Sequence, residues 1–265
     1  MHTRRAGHTL VIVVGLLMAG MPPAVVGSEA QAAGGGANAA APRIEAMAHR
    51  IAQAPRLGVT VDCTYDVVQD SGEKIEFGER RALMLRRPDR ARFDITGRDG
   101  SHRALLFDGT QLTTVDHDAK VYATVPHPGT VDAALAYYTR ALKMRVPLRE
   151  LFATDLPQRL QEALGSARVV GKETVAGVAT DHVALRDATV DVQLWIARDG
   201  DPLPQRIVIT YRLAAGQPQF QADFHGWTLT PEVPDAAFTF VPPPDAERIP
   251  IRTPGRGREP SEKQP

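Results

Sequence analysis

From Val59 to Val67 apolar and polar residues alternate without a break. Val59, Val61, Cys63, Tyr65 and Val67 fall on one face of an extended chain, and Thr60, Asp62, Thr64 and Asp66 fall on the other. A strand with one buried face sorts residues this way; a helix does not. The pattern recurs along the chain. Asp70-Ser71-Gly72 makes a turn, and Lys74–Arg86 carries Ile75, Phe77, Leu83 and Leu85 on one face. Ala91–Gly97, His102–Phe107, Gln111–Asp116 and Val121–Val125 follow. They are separated by Asp99-Gly100, Asp108-Gly109 and His117-Asp118, short turns of the kind that join antiparallel neighbours.

Helical spacing appears in two places. Pro42 opens a short helix ending near Ala54, with Ile44, Met47, Ala48 and Ile51 on one face. After Pro126-His127-Pro128-Gly129, the stretch Thr130–Met144 places Val131, Leu135, Tyr138 and Leu142 at helical intervals, with Thr130 as N-cap and Asp132 in the first turn. A second helical stretch, broken by Pro157, runs through Leu148–Phe152 and Gln158–Leu164. Strand patterns then resume over Val169–Val175, Thr180–Leu185, Val190–Ala197, Gln205–Leu213 and Gln219–Leu229. Strands in long runs with one helical insertion exclude a parallel α/β fold, which alternates the two. The expected fold class is mainly β (α+β): a large, strongly curled antiparallel sheet with helices packed on one side.

Composition narrows the function. Lysine plus arginine and aspartate plus glutamate number 31 each, so the basic excess of a nucleic-acid binder is missing. A single cysteine excludes an intramolecular disulfide and any Cys-x-x-Cys site. At the N-terminus Arg4 and Arg5 precede an apolar run, Leu10 to Ala19, too short to span a bilayer as a mature helix. Ala30-Gln31-Ala32 follows as an A-x-A cleavage site, so residues 1–32 read as a secretory signal peptide, the alternative being an uncleaved anchor. Residues 33–41 read as a flexible linker and 252–265 as a disordered polar tail, leaving one domain over 42–251. Cys63, without a partner in an oxidising compartment, is expected to be buried and inert.

A resemblance enters with Leu85-Arg86-Arg87-Pro88-Asp89-Arg90-Ala91-Arg92-Phe93, which looks like the arginine-proline stretch of lipoprotein-localisation carriers, the LolA/LolB superfamily. Phe107-Asp108-Gly109-Thr110-Gln111-Leu112, Asp116 and Lys120-Val121-Tyr122 resemble the next hairpin of those proteins. Further landmarks resemble a narrower related group, predicted periplasmic proteins of unknown function. They are Pro128-Gly129-Thr130-Val131-Asp132-Ala133-Ala134, Leu194-Trp195-Ile196, Leu203 through Tyr211, Pro218-Gln219-Phe220, and the closing Phe238-x-Phe240-x-Pro242-Pro243. The resemblance implies an incomplete β-barrel wrapped around an apolar concave face, helices covering that face, and a periplasmic address. It supplies no activity.

No nucleophile motif is present: no serine lies in a Gly-x-Ser-x-Gly elbow, and Cys63 is mid-strand on the apolar face. No catalytic residue, cofactor or metal is therefore assigned. Asp116-His117-Asp118, Asp181-His182 and Asp223-x-His225 contain zinc-ligand types, but Asp181 and His182 face opposite sides of a strand. Asp223 and His225 share a face and would need His102 or His182 beside them. Arg86, Arg87, Arg90 and Arg92 crowd one strand end; they read as an anion or partner contact, or as a solvated end paired with Asp89, Asp94 or Glu79.

Leu83, Leu85, Phe93, Leu105, Phe107, Leu194, Ile196, Ile207, Ile209, Tyr211, Phe220 and Phe224 hold alternating strand positions. In a closed sandwich they are core; in a half-barrel they line a cavity for acyl chains, the alternative the resemblance favours. The first functional expectation is thus a monomeric, non-enzymatic periplasmic protein binding a lipid, a lipoprotein acyl chain or another apolar ligand. The second is an envelope sensor or protein-interaction module without a ligand cavity. The third is a metal-dependent envelope hydrolase using the Asp/His pairs.

Overall fold

The computed structural model describes residues 37–142, 146 and 148–251. The expected signal peptide and polar tail lie outside them. Helix α1 (Ala37–Gln53) leads into two long strands, β1 (Arg56–Val68) and β2 (Lys74–Arg86). The meander continues through β3 (Arg90–Gly97), β4 (His102–Phe107), β5 (Gln111–Asp116) and β6 (Val121–Pro126). The insertion comprises α2 (Val131–Arg140), a 3-10 turn at Arg149–Phe152 and α3 (Leu156–Leu164). A second meander follows: β7 (Arg168–Val175), β8 (Val178–Arg186), β9 (Val190–Ala197), β10 (Pro204–Tyr211) and β11 (Gln219–Thr228). A 3-10 turn at Asp235–Phe238 and the two-residue β12 (Glu247–Arg248) close the described chain.

All strands belong to one 12-stranded sheet in the order β12-β6-β5-β4-β3-β2-β1-β11-β10-β9-β8-β7. The two meanders join where β1 pairs with β11, and every ladder is antiparallel except β12 on β6. The ends of the order, β12 and β7, do not meet, so the barrel is incomplete, as expected. Its turns use the anticipated chemistry: Gly100 and Gly109 have φ of 84° and 90°, in the left-handed region that glycine enters without a Cβ clash. Asp108 steadies its turn by accepting bonds from the Thr110 and Gln111 amides at 2.9 and 2.8 Å.

The helices fill the concave side. Ile44, Met47, Ala48 and Ile51 of α1 are buried in the same cluster as Leu83, Leu85, Phe93 and Phe107 of the sheet. Each large side chain so buried contributes roughly 1.5–3 kcal/mol. Val131, Ala134, Leu135 and Tyr138 of α2 join that cluster. Thr130 caps α2 as expected, its Oγ1 accepting from the Ala133 amide at 3.3 Å.

Two local expectations are corrected. The flexible linker reading of 33–41 fails from Ala37 onward, since α1 begins there and buries Ala40. Four alanines in five residues are strong helix formers, and they extend the helix through Pro42. Pro157 does not break a helix. It lies in the first turn of α3, where no partner is needed for the missing N–H.

Candidate functional site: the concave β-face

Alternation decides which side chains face inward, and register decides which of them meet. Phe77 on β2 stands opposite Tyr65 on β1, and Tyr65 stands opposite Phe220 on β11. Phe220 faces Ile209 on β10, Ile209 faces Val192 on β9, and Val192 faces Leu185 on β8. One transverse row of six large apolar residues therefore crosses six consecutive strands. With strands about 4.8 Å apart, the stretch from β2 to β9 is roughly 19 Å long. Phe220 and Leu185 are buried, Tyr65, Ile209 and Val192 are half-buried, and Phe77 is 46% exposed. The Tyr65 and Phe77 rings stack with centroids 6.1 Å apart. Ile75 and Tyr211 extend the apolar surface one step outward, both exposed. The core cluster thus takes in Leu185 and Phe220 of this row and leaves its Phe77 end open.

Ten of the twelve residues singled out from sequence belong to the covered half or the row's buried floor: Leu83, Leu85, Phe93, Leu105, Phe107, Leu194, Ile196, Ile207, Phe220 and Phe224 are at most 5% exposed. They are core residues packed with the helices. Ile209 is half-buried in the row. Tyr211 departs from the expectation: it ends β10, beyond the reach of the helices, and is 41% exposed. Two of the pockets among the described residues flank the fold, and neither of these is lined by any of the twelve. One of ≈ 50 Å³ lies among α2, the Arg149–Phe152 turn and α3. Another of ≈ 230 Å³ lies on the convex side, between Thr113, Thr124, Tyr122 and Phe240.

The four arginines are held by internal partners. Arg86 pairs with Asp235 at 2.5 Å, and Arg90 pairs with Asp89 at 2.9 Å. Arg92 forks onto Asp94 at 2.7 and 2.9 Å and reaches the Ala237 carbonyl at 3.1 Å. Arg87 donates to the carbonyls of Ala54, Ile51 and Phe152 at 3.1, 3.4 and 2.8 Å. Burial draws its guanidinium below the usual range, with Asp132 opposing. Arg90 and Arg92 take the Asp89 and Asp94 partners of the paired alternative, and Arg87 serves carbonyls left over at the end of α1, which need donors.

The histidines are similarly occupied. His182 stacks on Trp195 at 4.1 Å, with Nδ1 2.9 Å from Glu173 and Nε2 3.1 Å from Gln193. His225 lies 3.3 Å from Asp62, Asp223 pairs with Arg206, and His102 stacks on His117. The residues considered for a metal are thus dispersed. No group of three potential ligands is assembled among the described residues. Cys63 is buried, and burial pushes its thiol up to about 12.

The inward position of two residues was missed, Glu79 having been considered only as a partner for the strand-end arginines and Arg81 not at all. Glu79 and Arg81 share the parity of Phe77 and Leu83 on β2, so the strand's buried stripe carries a charge pair in its middle. The signal was present in the spacing: apolar inward positions at 75 and 77, polar at 79 and 81, apolar again at 83 and 85.

Residues 40–252 match a family model described as "Predicted periplasmic protein (DUF2092)". The chain belongs to this family. The match spans the whole sheet and its helical layer, so the DUF2092 domain and the half-barrel are one object. No helix among the described residues is long and apolar enough to cross a membrane. No curated protein matches the chain in sequence. Among solved structures, the Mycobacterium tuberculosis lipoprotein LppX is similar with a TM-score of 0.45 and 16% identity over 74% of this chain and 99% of that one. A LolA superfamily protein from Nitrosomonas europaea gives 0.39 and 14% identity over 76% and 97%. The Pseudomonas aeruginosa MucA/MucB complex gives 0.37 and 17% identity over 70% and 57%. Scores this low carry no function over to this chain.

Proposed function

We propose that this DUF2092 protein is a monomeric, non-enzymatic periplasmic protein that binds a lipid, a lipoprotein acyl chain or another apolar ligand on its concave β-face. The observation that carries the reading is the in-register row from Phe77 to Leu185, apolar at every strand and left open at one end. Backbone groups inside the sheet are paired with one another, so the row offers side-chain surface and few donors. Such a surface suits a chain of methylenes, each contributing roughly 0.8 kcal/mol when buried. Deeper entry along Leu83, Leu85 and Phe224 requires the helical layer to move aside. Export follows from residues 1–32 acting as a leader cleaved after Ala32, which N-terminal sequencing of the mature protein checks.

Native mass spectrometry of protein purified from its own envelope, together with uptake of a fluorescent fatty acid, tests the proposal. Retained lipid or saturable uptake supports it. A protein that carries no lipid and takes up none overturns it.

The packed inner half favours a second reading, an envelope sensor or protein-interaction module. In that case cross-linking recovers one reproducible protein partner, and Ile209→Trp in the row leaves the recovery unchanged.

A further inference from the structure

The concave face carries charge at Asp181, which pairs with Arg43 of α1 at 2.9 Å, and in a second cluster that adjoins the open row. On β2, Glu79 follows Phe77 at the next inward position, and Arg81 follows Glu79. Arg81 stands opposite Ile95 on β3, which stands opposite Arg103 on β4. Arg81 Nε donates to Glu79 Oε1 at 2.7 Å, and Arg103 Nη2 lies 3.7 Å from Glu79 Oε2. Two guanidinium groups therefore share one carboxylate. Asp116, opposite Arg103 on β5, is turned to its own hairpin, where Oδ1 accepts from the Ala119 amide at 2.9 Å. The Tyr138 hydroxyl donates to Thr114 at 3.4 Å on the same side of the cluster.

Glu79 and Arg81 are nearly shut off from water, with side chains 7% and 10% exposed, whereas Arg103 is 52% exposed. Ions in such surroundings are costly to desolvate, and a surplus cation is relieved by an anion that reaches it. Arg103 is the member that an incoming anion reaches first.

On the reading that the face binds an apolar chain, we propose that the ligand is a long-chain monocarboxylate. Its carboxylate lies against Arg103 and Arg81, and its chain lies along the row from Phe77 toward Val192. The charge count favours one negative charge: within ion-pair reach the cluster holds two cations and one anion. Guanidinium forks fit the two oxygens of a carboxylate. Phe77 places the start of the apolar row beside the cluster, and the row extends away from it across β1, β11 and β10.

The test uses the whole mature protein and three probes of one chain length: laurate, dodecanol and dodecyl phosphate, with affinities measured by calorimetry. Laurate is expected to bind about tenfold or more tighter than dodecanol, the margin of a charged hydrogen bond. Arg103→Gln removes that margin and leaves dodecanol unchanged. Glu79→Gln frees both guanidiniums and tightens laurate; should that buried substitution unfold the protein, the half-exposed Arg103 keeps the test intact. Equal affinity for laurate and dodecanol, with no effect of Arg103→Gln, overturns the head-group site while leaving apolar binding standing. Tighter binding of dodecyl phosphate overturns the carboxylate assignment. Failure of all three probes to bind overturns the underlying reading itself.

Discussion

Arg87 donates from Nη2 to the Phe152 carbonyl at 2.8 Å, tying the β2–β3 turn to the helical insertion across 65 positions of sequence. The same guanidinium reaches the carbonyls of Ile51 and Ala54 at the end of α1. The Pro88 carbonyl beside it accepts from the Val131 amide at 2.8 Å, at the start of α2. One turn thus anchors two helices and the Arg149–Phe152 turn over the sheet. Arg87→Met leaves those carbonyls without a donor and should cost about 2–4 kcal/mol in urea unfolding. An unchanged midpoint would contradict the anchoring role.

Phe77 lies at the exposed start of the apolar row. Phe77→Ser should weaken fluorescent fatty-acid uptake several-fold while changing stability by no more than about 1 kcal/mol, because the ring is already half in water. The paired measurement separates the two effects. Uptake that survives this change would move the ligand elsewhere.

Cys63 sits on the inward face of β1 with its thiol pushed up to about 12 by burial. The thiolate is the reactive form, so a disulfide reagent at pH 8 should leave the folded protein unlabelled and label it in full in denaturant. Rapid labelling of the native protein would mean the inner half opens readily.

Arg80 forks onto Asp62 at 2.7 and 2.9 Å across β1 and β2, and this bond holds the Asp62 carboxyl below its usual range. A folded-state pKa below the unfolded value of about 3.9 contributes stability above that value, and the contribution is lost as pH falls through the folded pKa. Asp155 with Arg159 and Asp191 with Arg186 behave alike. Unfolding midpoints should therefore drop as pH is lowered below about 4. Asp62→Asn should make that fall shallower; an identical pH profile for the variant would remove Asp62 from the account.

Phe238, from the closing Phe-x-Phe stretch, is buried beside Arg86, whose guanidinium carbon lies 5.4 Å from the ring centroid. Phe238→Ala should cost about 3–5 kcal/mol by calorimetry or urea titration, as for other buried rings. A loss below 1 kcal/mol, the scale of an ordinary surface change, would show that this segment is dispensable to the sheet.

Much of the fold was legible because strand alternation and turn chemistry are local. Lys74–Arg86, His102–Phe107, Gln111–Asp116 and Val190–Ala197 begin and end where their patterns do. Elements without a period were not legible: two residues at Glu247–Arg248 carry no alternation, and the Asp235–Phe238 turn is too short to show one. For the arginines the local partners were legible, Asp89 for Arg90 and Asp94 for Arg92, whereas Asp235, Ala237, Phe152 and Ile51 were not, because they arrive from distant parts of the chain.

By itself, the alternation from Val59 onward determined the strands, their inward faces and the sheet class, since a period of two needs no knowledge of neighbours. Only the tertiary structure decided what those faces do. Phe77 and Ile209 join one row because β1 pairs with β11, a contact between the two ends of the domain. Which inward residues are core and which remain open depends on how far α1, α2 and α3 reach across the sheet, and reach is a property of packing that no single strand encodes.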